Sequence, residues 1–529
     1  MTTLASNAST AAARASSAAG AAVGARHRGA PEAAPTVASR LVVFVLCAAA
    51  VLSTLAFGTV HSWSLALFAG GAAFLLLCWT LDAWRTRSLR LSRNLLQLPL
   101  AGLFLLGLVQ LLPLGSADAG AAAALGVPPA RTLSLDPYAT RFVLIQLGSL
   151  AVYFAAALAF VDSPRRFRLV VRTLVVFGAA LAAFGMIMSF VSPNFVMGVR
   201  ETKQAVGFGP FINRHHFAAF MEMSLALPLG LLFAGAVERE RRPLYGFAAA
   251  VMAIALILTN SRGGMLALVA EVLFLAVLSG VALRRRGGKE KEGRVVGGLA
   301  RRAALGAGVV VLLFAAVLLF GGEGALNRLV GTINADDPTT GRLHFWRGTL
   351  GIIRDHPVLG VGLGAFGAAY TRYDTSSGVL FRLEQAHNDY LQLLSDAGIV
   401  GALLGLVFVV VLFRGALRRM ESQSKFRRGV ALGALSGCFA VLVHSFFDFT
   451  LHTTANSLLF LLLAALATLD GRVEHRRRSH SRPTRPAGRQ ATTDAATPRE
   501  KADGGGPPPE LPSAGGEPSA DTPAPAGGL

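Results

Sequence analysis

The stretch that decides the fold is QAHNDYLQLLSDAGIVGALLGLVFVVVLF, residues 385–413. Its first part is polar, and from residue 389 it continues as an apolar run that is long enough to cross a bilayer as a helix. His387 stands at the transition, so a titratable ring lies where a membrane surface would be. The stretch therefore predicts a membrane helix with a candidate site for chemistry at its amino end.

Apolar residues elsewhere in the chain also come in separated blocks of roughly twenty. Hydrophobic residues make up 53% of the 529, and their separation excludes one soluble core. We predict an all-α polytopic membrane protein with about twelve transmembrane helices. The predicted spans are 41–60, 63–82, 95–114, 142–161, 169–191, 217–236, 244–260, 263–283, 303–320, 389–413, 429–449 and 453–470.

The charges between these blocks predict the orientation of the helices. A formal net charge of +20 is compatible with nucleic-acid binding, but Lys and Arg lie mainly between the blocks and in the C-terminal tail. Arginine recurs on alternate connections, which the positive-inside rule assigns to the cytoplasm. We therefore expect both termini to be cytoplasmic, membrane lipids as partners and no nucleic acid. Function is expected on the outer side, with the loops 115–141, 192–216 and 321–388.

The composition divides the chain into five parts. Both ends lack the apolar content that offsets the entropy of ordering. The parts are a disordered leader at 1–40, spans one to nine at 41–320, a large outer loop at 321–388, three spans at 389–470 and a disordered basic, Pro- and Gly-rich tail at 471–529. Helical spacing between Thr340 and Pro357 predicts a short helix in the large loop, either an interfacial amphipathic helix or a structural lid.

No motif in the sequence indicates a metal or a nucleotide. The cysteines Cys47, Cys78 and Cys438 lie in apolar segments and lack metal-ligand spacing. The run Gly362–Gly367 matches GxGxxG by letter, but no βαβ unit surrounds it, so its glycines are expected to allow close packing of the loop. We predict chemistry without metal or cofactor.

His387 is the strongest candidate for catalysis. At the amino end of a span it meets the positive end of a helix dipole, which favours a neutral, proton-accepting ring. If the helix extends back to Glu384, that carboxylate lies one turn earlier and fixes the tautomer. The alternative is an interfacial histidine that binds a lipid headgroup or caps the helix.

Two arginines are predicted on the outer side, against the topological bias. Arg262 lies in the tight link Asn260–Gly264, and Arg214 lies at the start of another span, where backbone N–H groups favour an anion. A phosphate-bearing lipid would satisfy both guanidinium groups. The alternative is that they snorkel to ordinary phospholipid.

Several motifs together resemble the bacterial O-antigen ligase and O-antigen polymerase family. The resemblance covers roughly residues 205–460, and the late motifs resemble variants associated with exopolysaccharide. The motifs are Arg342–Trp346, Asp355–Gly364, His387–Gln392, Gly398–Gly401, Phe211–Phe217, Ser261–Gly264 and His444–Phe449 with Asn456. The sequence departs from the family at Asn213-Arg214-His215-His216, where relatives tend to show Asn-Arg-Asn-His.

This resemblance implies a GT-C-like glycosyltransferase in the bacterial inner membrane. It would move a glycan from an undecaprenyl-diphosphate donor to an acceptor hydroxyl of a glycan or lipid, on the periplasmic side and with inversion. His387 and Arg262 are then the catalytic residues: His387 is the base, and Arg262, with Arg214 and with Arg342 as a third candidate, neutralises the charge that builds on the diphosphate. The further substrate-binding candidates are Arg214, Arg342, Asn388, Ser261 and His216.

Other functions stay open at this point. A transporter or flippase of lipid-linked glycans also needs about twelve spans, although it should place ionisable groups near the bilayer midplane. A non-catalytic scaffold of envelope assembly is the third reading. Within the family, the sequence does not choose between ligase, polymerase and protein O-glycosylation.

Overall fold

The computed structural model describes residues 36–115, 131–193, 195–201, 206–284, 342–374 and 383–469, all within the unit Met1–His475. Apart from a small hairpin, the elements described are helical. The helices are α1 (Val37–Leu55), α2 (Ser62–Thr86), α3 (Gln97–Gln110), α4 (Pro137–Phe160), α5 (Pro164–Val191), α6 (Arg214–Phe233), α7 (Arg242–Leu258), α8 (Arg262–Arg284), α9 (Arg342–Asp355), α10 (Phe366–Tyr370), α11 (Asp389–Arg419), α12 (Lys425–His444) and α13 (Thr454–Thr468). The hairpin pairs β1 (Phe195–Val196) with β2 (Arg200–Glu201) in antiparallel register, Phe195 opposite Glu201.

The predicted fold class is confirmed. Within the described ranges, nine helices are long and apolar enough to cross a membrane, and α3 and α13 are shorter apolar helices. Every predicted span except 303–320 coincides with one of these helices, and 303–320 lies outside the described residues. Residues 1–35 of the predicted leader and the predicted tail also lie outside them, and the prediction of disorder is wrong for residues 37–40, which belong to α1. Helix α9 is the short helix predicted in the large loop.

Helix α6 forms the centre of the bundle because small residues let its neighbours approach closely. It packs against α7, α8 and α12, and nearly all of its residues are buried inside the protein. A Cβ added to Gly433 of α12 would lie 2.3 Å from the carbonyl oxygen of Ala226 in α6. Small residues at helix contacts are typical of membrane bundles. The residues at the amino end of α6 are therefore fixed by the tightest part of the fold.

Helix α11 is broken at Gly398, and the loop Pro357–Gly364 pairs with the break. Gly398 has φ +61° and ψ −162°. Ile399 N donates to Pro357 O at 2.8 Å and Val361 N donates to Ser395 O at 2.9 Å, so the loop satisfies backbone groups around the break. A Cβ on Gly362 would lie 2.2 Å from Ser134 Oγ. At Gly362 the loop therefore packs as closely against its neighbours as was predicted for its glycines.

Three of the helices that carry site residues begin at the same end of the bundle, each with a polar cap. Asn213 accepts from His215 N at the start of α6, and Ser261 accepts from Gly264 N at the start of α8. Asn388 accepts from Tyr390 N and Leu391 N at the start of α11. Such caps satisfy orphan N–H groups of the first turn. We call this end of the bundle the site end.

Candidate functional site

His387 lies just before α11 and is held on three sides. Its backbone has φ +51°, a left-handed conformation that non-glycine residues rarely adopt outside constrained sites. Its Nδ1 lies 3.3 Å from Asp448 Oδ1. The ring stacks against Phe345 at 6.0 Å between centroids and meets the Phe449 ring edge-to-face at 4.9 Å. With its side chain 28% exposed, the ring is oriented and still accessible.

Asp448 is the carboxylate that the structure pairs with His387. Helix α11 begins at Asp389, so the helical turn that would place Glu384 beside His387 does not form, and that expectation is wrong. Asp448 was expected inside the span 429–449, but α12 ends at His444 and Asp448 lies beyond it. Its side chain is 1% exposed. Nothing in the sequence near position 387 indicates this partner, which lies 61 residues further along the chain.

Asp448 collects positive and polar groups from three other segments. Arg342 Nη2 lies 3.3 Å from its Oδ2, and His215 Nδ1 lies 3.9 Å from the same oxygen. Burial alone would raise the pKa of Asp448, but the hydrogen bond with His387 and the proximity of His215 hold it well below its usual range. The group is therefore a carboxylate anion, suited to orient an imidazole.

Arg342 forms contacts within the protein that the sequence did not predict. Besides the pair with Asp448, its Nη1 donates to Phe447 O. The guanidinium therefore fixes the segment that carries Asp448, and its predicted contact with a diphosphate stays a prediction.

Arg262 is the first residue of α8 and its side chain is half-buried. Among the residues described, none forms a hydrogen bond or an ion pair with its guanidinium. At the opposite end of the bundle, Arg90 pairs with Asp82 and Asp162. A half-buried cation without a protein partner at a helix amino terminus is a binding position for an anion.

The histidine pair at the start of α6 divides its roles. His215 Nδ1 lies 2.8 Å from Ser261 Oγ, so this ring faces the site. His216 turns away: its Nδ1 lies 2.7 Å from Thr453 Oγ1, and its ring meets Phe449 edge-to-face. His216 therefore supports Phe449 behind the His387 ring. His215, which the sequence analysis left without a role, is the member of the pair that faces Asp448.

Asn388 and Ser261 act locally as helix caps. Asn388 also donates from Nδ2 to Phe446 O at 3.1 Å, which ties the segment before Asp448 to the start of α11. Arg214 is the first residue of α6, and its backbone N–H donates to Val206 O at 2.8 Å. Across the described ranges, no group of three or more His, Cys, Asp or Glu residues could hold a metal ion.

Residues 247–406 match the family described as O-antigen ligase. This match supports membership of the O-antigen ligase and polymerase family. The resemblance drawn from the motifs is thereby confirmed, and the matched region contains Arg262, Arg342 and His387. The family match and the apolar helices indicate an integral membrane protein of glycosyltransferase type. Lipid-linked glycans and acceptors are the general substrates that the family implies. No curated protein matches the chain.

Proposed function

We propose that the protein transfers a glycan from undecaprenyl diphosphate to an acceptor hydroxyl at the periplasmic face of the bacterial inner membrane, in the synthesis of a cell-surface polysaccharide. The observation that carries the proposal is that an accessible, Asp448-oriented His387 lies at the same end of the bundle as Arg262, whose guanidinium has no partner among the described residues. The first group suits proton abstraction, and the second suits a leaving diphosphate.

In the proposed step, the Nδ1–H of His387 donates to Asp448, so that Nε2 presents a lone pair. Nε2 takes the proton of the acceptor hydroxyl while its oxygen attacks the anomeric carbon. The bond from that carbon to the diphosphate oxygen breaks, and its electron pair stays on the diphosphate. A single displacement inverts the anomeric configuration. The step uses neither metal nor nucleotide.

The leaving diphosphate is stabilised by the amino end of α8. Arg262 supplies a fixed positive charge with bidentate geometry, and the helix terminus adds its partial positive charge. Arg214, at the amino end of α6, is proposed to contact the same anion. Arg342 is proposed to act mainly through Asp448, because its guanidinium contacts Asp448 and Phe447.

The test is transfer by purified protein from a lipid-diphosphate-linked oligosaccharide to candidate acceptors. We expect His387→Ala and Arg262→Ala each to lose transfer by about 10²-fold or more. His356→Ala and Arg347→Ala, which alter the same residue types outside the site, are expected to retain it. Full activity of His387→Ala would refute the general-base assignment. Comparing glycan and lipid acceptors distinguishes polymerase from ligase.

A second candidate, transport of a lipid-linked glycan, is favoured by two features. Helix α11 is broken at Gly398, and the buried Glu271 of α8 has no hydrogen-bond partner in the part of the chain described. Broken helices and ionisable groups within spans are typical of transporters. In proteoliposomes, translocation of the intact carrier without cleavage would favour this function over glycosyl transfer.

A further inference from the structure

A second set of polar groups lies directly behind the proposed diphosphate site and takes no part in the transfer step. Glu222 of α6 and His444 at the end of α12 each have 0% of their side chains exposed. His444 Nδ1 lies 3.2 Å and 3.3 Å from the two carboxylate oxygens of Glu222. Burying such groups costs free energy unless they are paired, so the pair is expected to be rigid.

The pair is connected to the amino end of α8 through Ser261. His444 Nε2 lies 3.5 Å from Ser261 Oγ, and the same oxygen accepts from Gly264 N at 3.2 Å. The His444 ring also covers the first turn of α8, since a Cβ on Gly263 would lie 2.8 Å from its Cδ2. Glu222, His444 and Ser261 thus form a continuous contact from the buried centre of the bundle to the residue before Arg262.

The order carboxylate, imidazole, serine is also that of a serine nucleophile, but this serine cannot act as one. Ser261 is 0% exposed, so an electrophilic carbon cannot reach its oxygen. That oxygen is also occupied as the cap of α8 and lies 2.8 Å from His215 Nδ1. What the arrangement can do is fix the position of the helix terminus.

We propose that Glu222 and His444 are positioning residues for the donor diphosphate, acting through Ser261 on Arg262. The inference rests on the proposed function and assigns the ligand of this subsite as the diphosphate group, not the glycan. The Arg262 guanidinium has no hydrogen-bond partner among the described residues. The first turn of α8 is therefore what mainly holds Arg262 in position. A less rigid first turn of α8 weakens the contact between Arg262 and the diphosphate. Proton transfer at His387 stays unchanged.

The experiment measures binding of undecaprenyl diphosphate without glycan to the full-length protein, together with the kinetics of transfer. We expect Glu222→Ala and Ser261→Ala to raise the Kd for undecaprenyl diphosphate and the donor KM by about 3- to 10-fold, the effect of one lost oriented hydrogen bond. The value of kcat and the pH profile should stay close to those of wild type. Glu222→Gln keeps an acceptor for His444 Nδ1 and should restore binding.

Ser436→Ala is the matched control for Ser261→Ala. It removes another fully buried serine oxygen, on α12, that has no hydrogen-bond partner in the described part of the chain. It should leave the Kd unchanged. If Glu222→Ala does not fold, Ser261→Ala decides, and because its oxygen also contacts His215, its kcat and pH profile must stay at the wild-type values.

Unchanged Kd and KM in the folded alanine variants would overturn the inference. A shifted pH profile with unchanged KM would also overturn it, since the pair would then carry protons. In both cases His387→Ala still abolishes transfer. If His387→Ala keeps activity, the general-base assignment fails, and if the wild-type protein transfers no glycan, the proposed function itself fails.

Discussion

The tautomer of one imidazole decides whether the proposed transfer works. Asp448 accepts at Nδ1 of His387, and only then is Nε2 free to take a proton. Because the pKa of Asp448 is held below its usual range, the carboxylate stays ionised well into acid. The ionised carboxylate stabilises the folded protein at pH values above the pKa that Asp448 has in the unfolded chain. This stabilisation is lost only as the pH falls through the lower pKa that Asp448 has in the folded protein. The acid limb of the pH–rate profile is therefore not expected to report Asp448.

Asp448→Asn tests this pairing. An amide can donate to Nδ1 and so place the proton on Nε2, which removes the base while leaving the shape nearly unchanged. We expect kcat to fall by about 10²- to 10⁴-fold with little change in donor KM. Asp355→Asn, at the exposed end of α9, is the control and should transfer normally. A variant Asp448→Asn with wild-type kcat would show that the carboxylate does not orient the ring.

The site residues that the sequence predicts are those marked by their local context. His387 and Arg262 were identified because each stands at the start of an apolar run. The roles of Asp448 and His215 depend on contacts between segments far apart in the chain, which periodicity and charge patterns do not show. Glu384 was chosen as a partner on local spacing alone, and the actual start of α11 removed that geometry.

Among the elements, α11 departs most from its prediction. Length and hydropathy predicted a continuous span, and the helix does occupy Asp389–Arg419. Its break at Gly398 follows from pairing with a loop some forty residues earlier, which hydropathy cannot indicate. The break also reaches the site: Gln392 Nε2 donates to Asp396 Oδ2 at 3.4 Å, and Gln392 Oε1 accepts from Ala386 N, next to His387. The irregular helix therefore supports the position of the base.

Gly398→Ala is expected to destabilise the protein. Gly398 has φ +61°, and an added Cβ would lie 2.3 Å from Val358 O, a backbone atom that cannot move aside cheaply. We expect a loss on the order of 2–4 kcal/mol in the free energy of unfolding, measured by denaturation in detergent. Gly70→Ala in α2 is the matched control, because nothing lies within 4 Å of its added Cβ. If both variants unfold alike, the break is not a structural requirement.

Across the whole molecule, the two ends of the bundle differ in what their charged groups do. At the end away from the site, Arg90 and Arg166 both pair with Asp162, and Arg166 also donates to Ser39 Oγ. These contacts link the arginine-rich connections that the positive-inside rule assigns to the cytoplasm. At the site end, Arg262 lacks such a partner among the described residues. The asymmetry agrees with a paired, cytoplasmic end and a reactive, periplasmic end.

This orientation can be tested by labelling single cysteines with a membrane-impermeant maleimide. The native Cys47, Cys78 and Cys438 are first replaced by serine, and His356→Cys then marks the site end while Ser422→Cys marks the opposite end. We expect cells with a permeabilised outer membrane to label position 356, and position 422 to react only after lysis, because the positive-inside rule assigns the arginine-rich connections to the cytoplasm. The reverse pattern would put His387 on the cytoplasmic side, where periplasmic transfer is impossible.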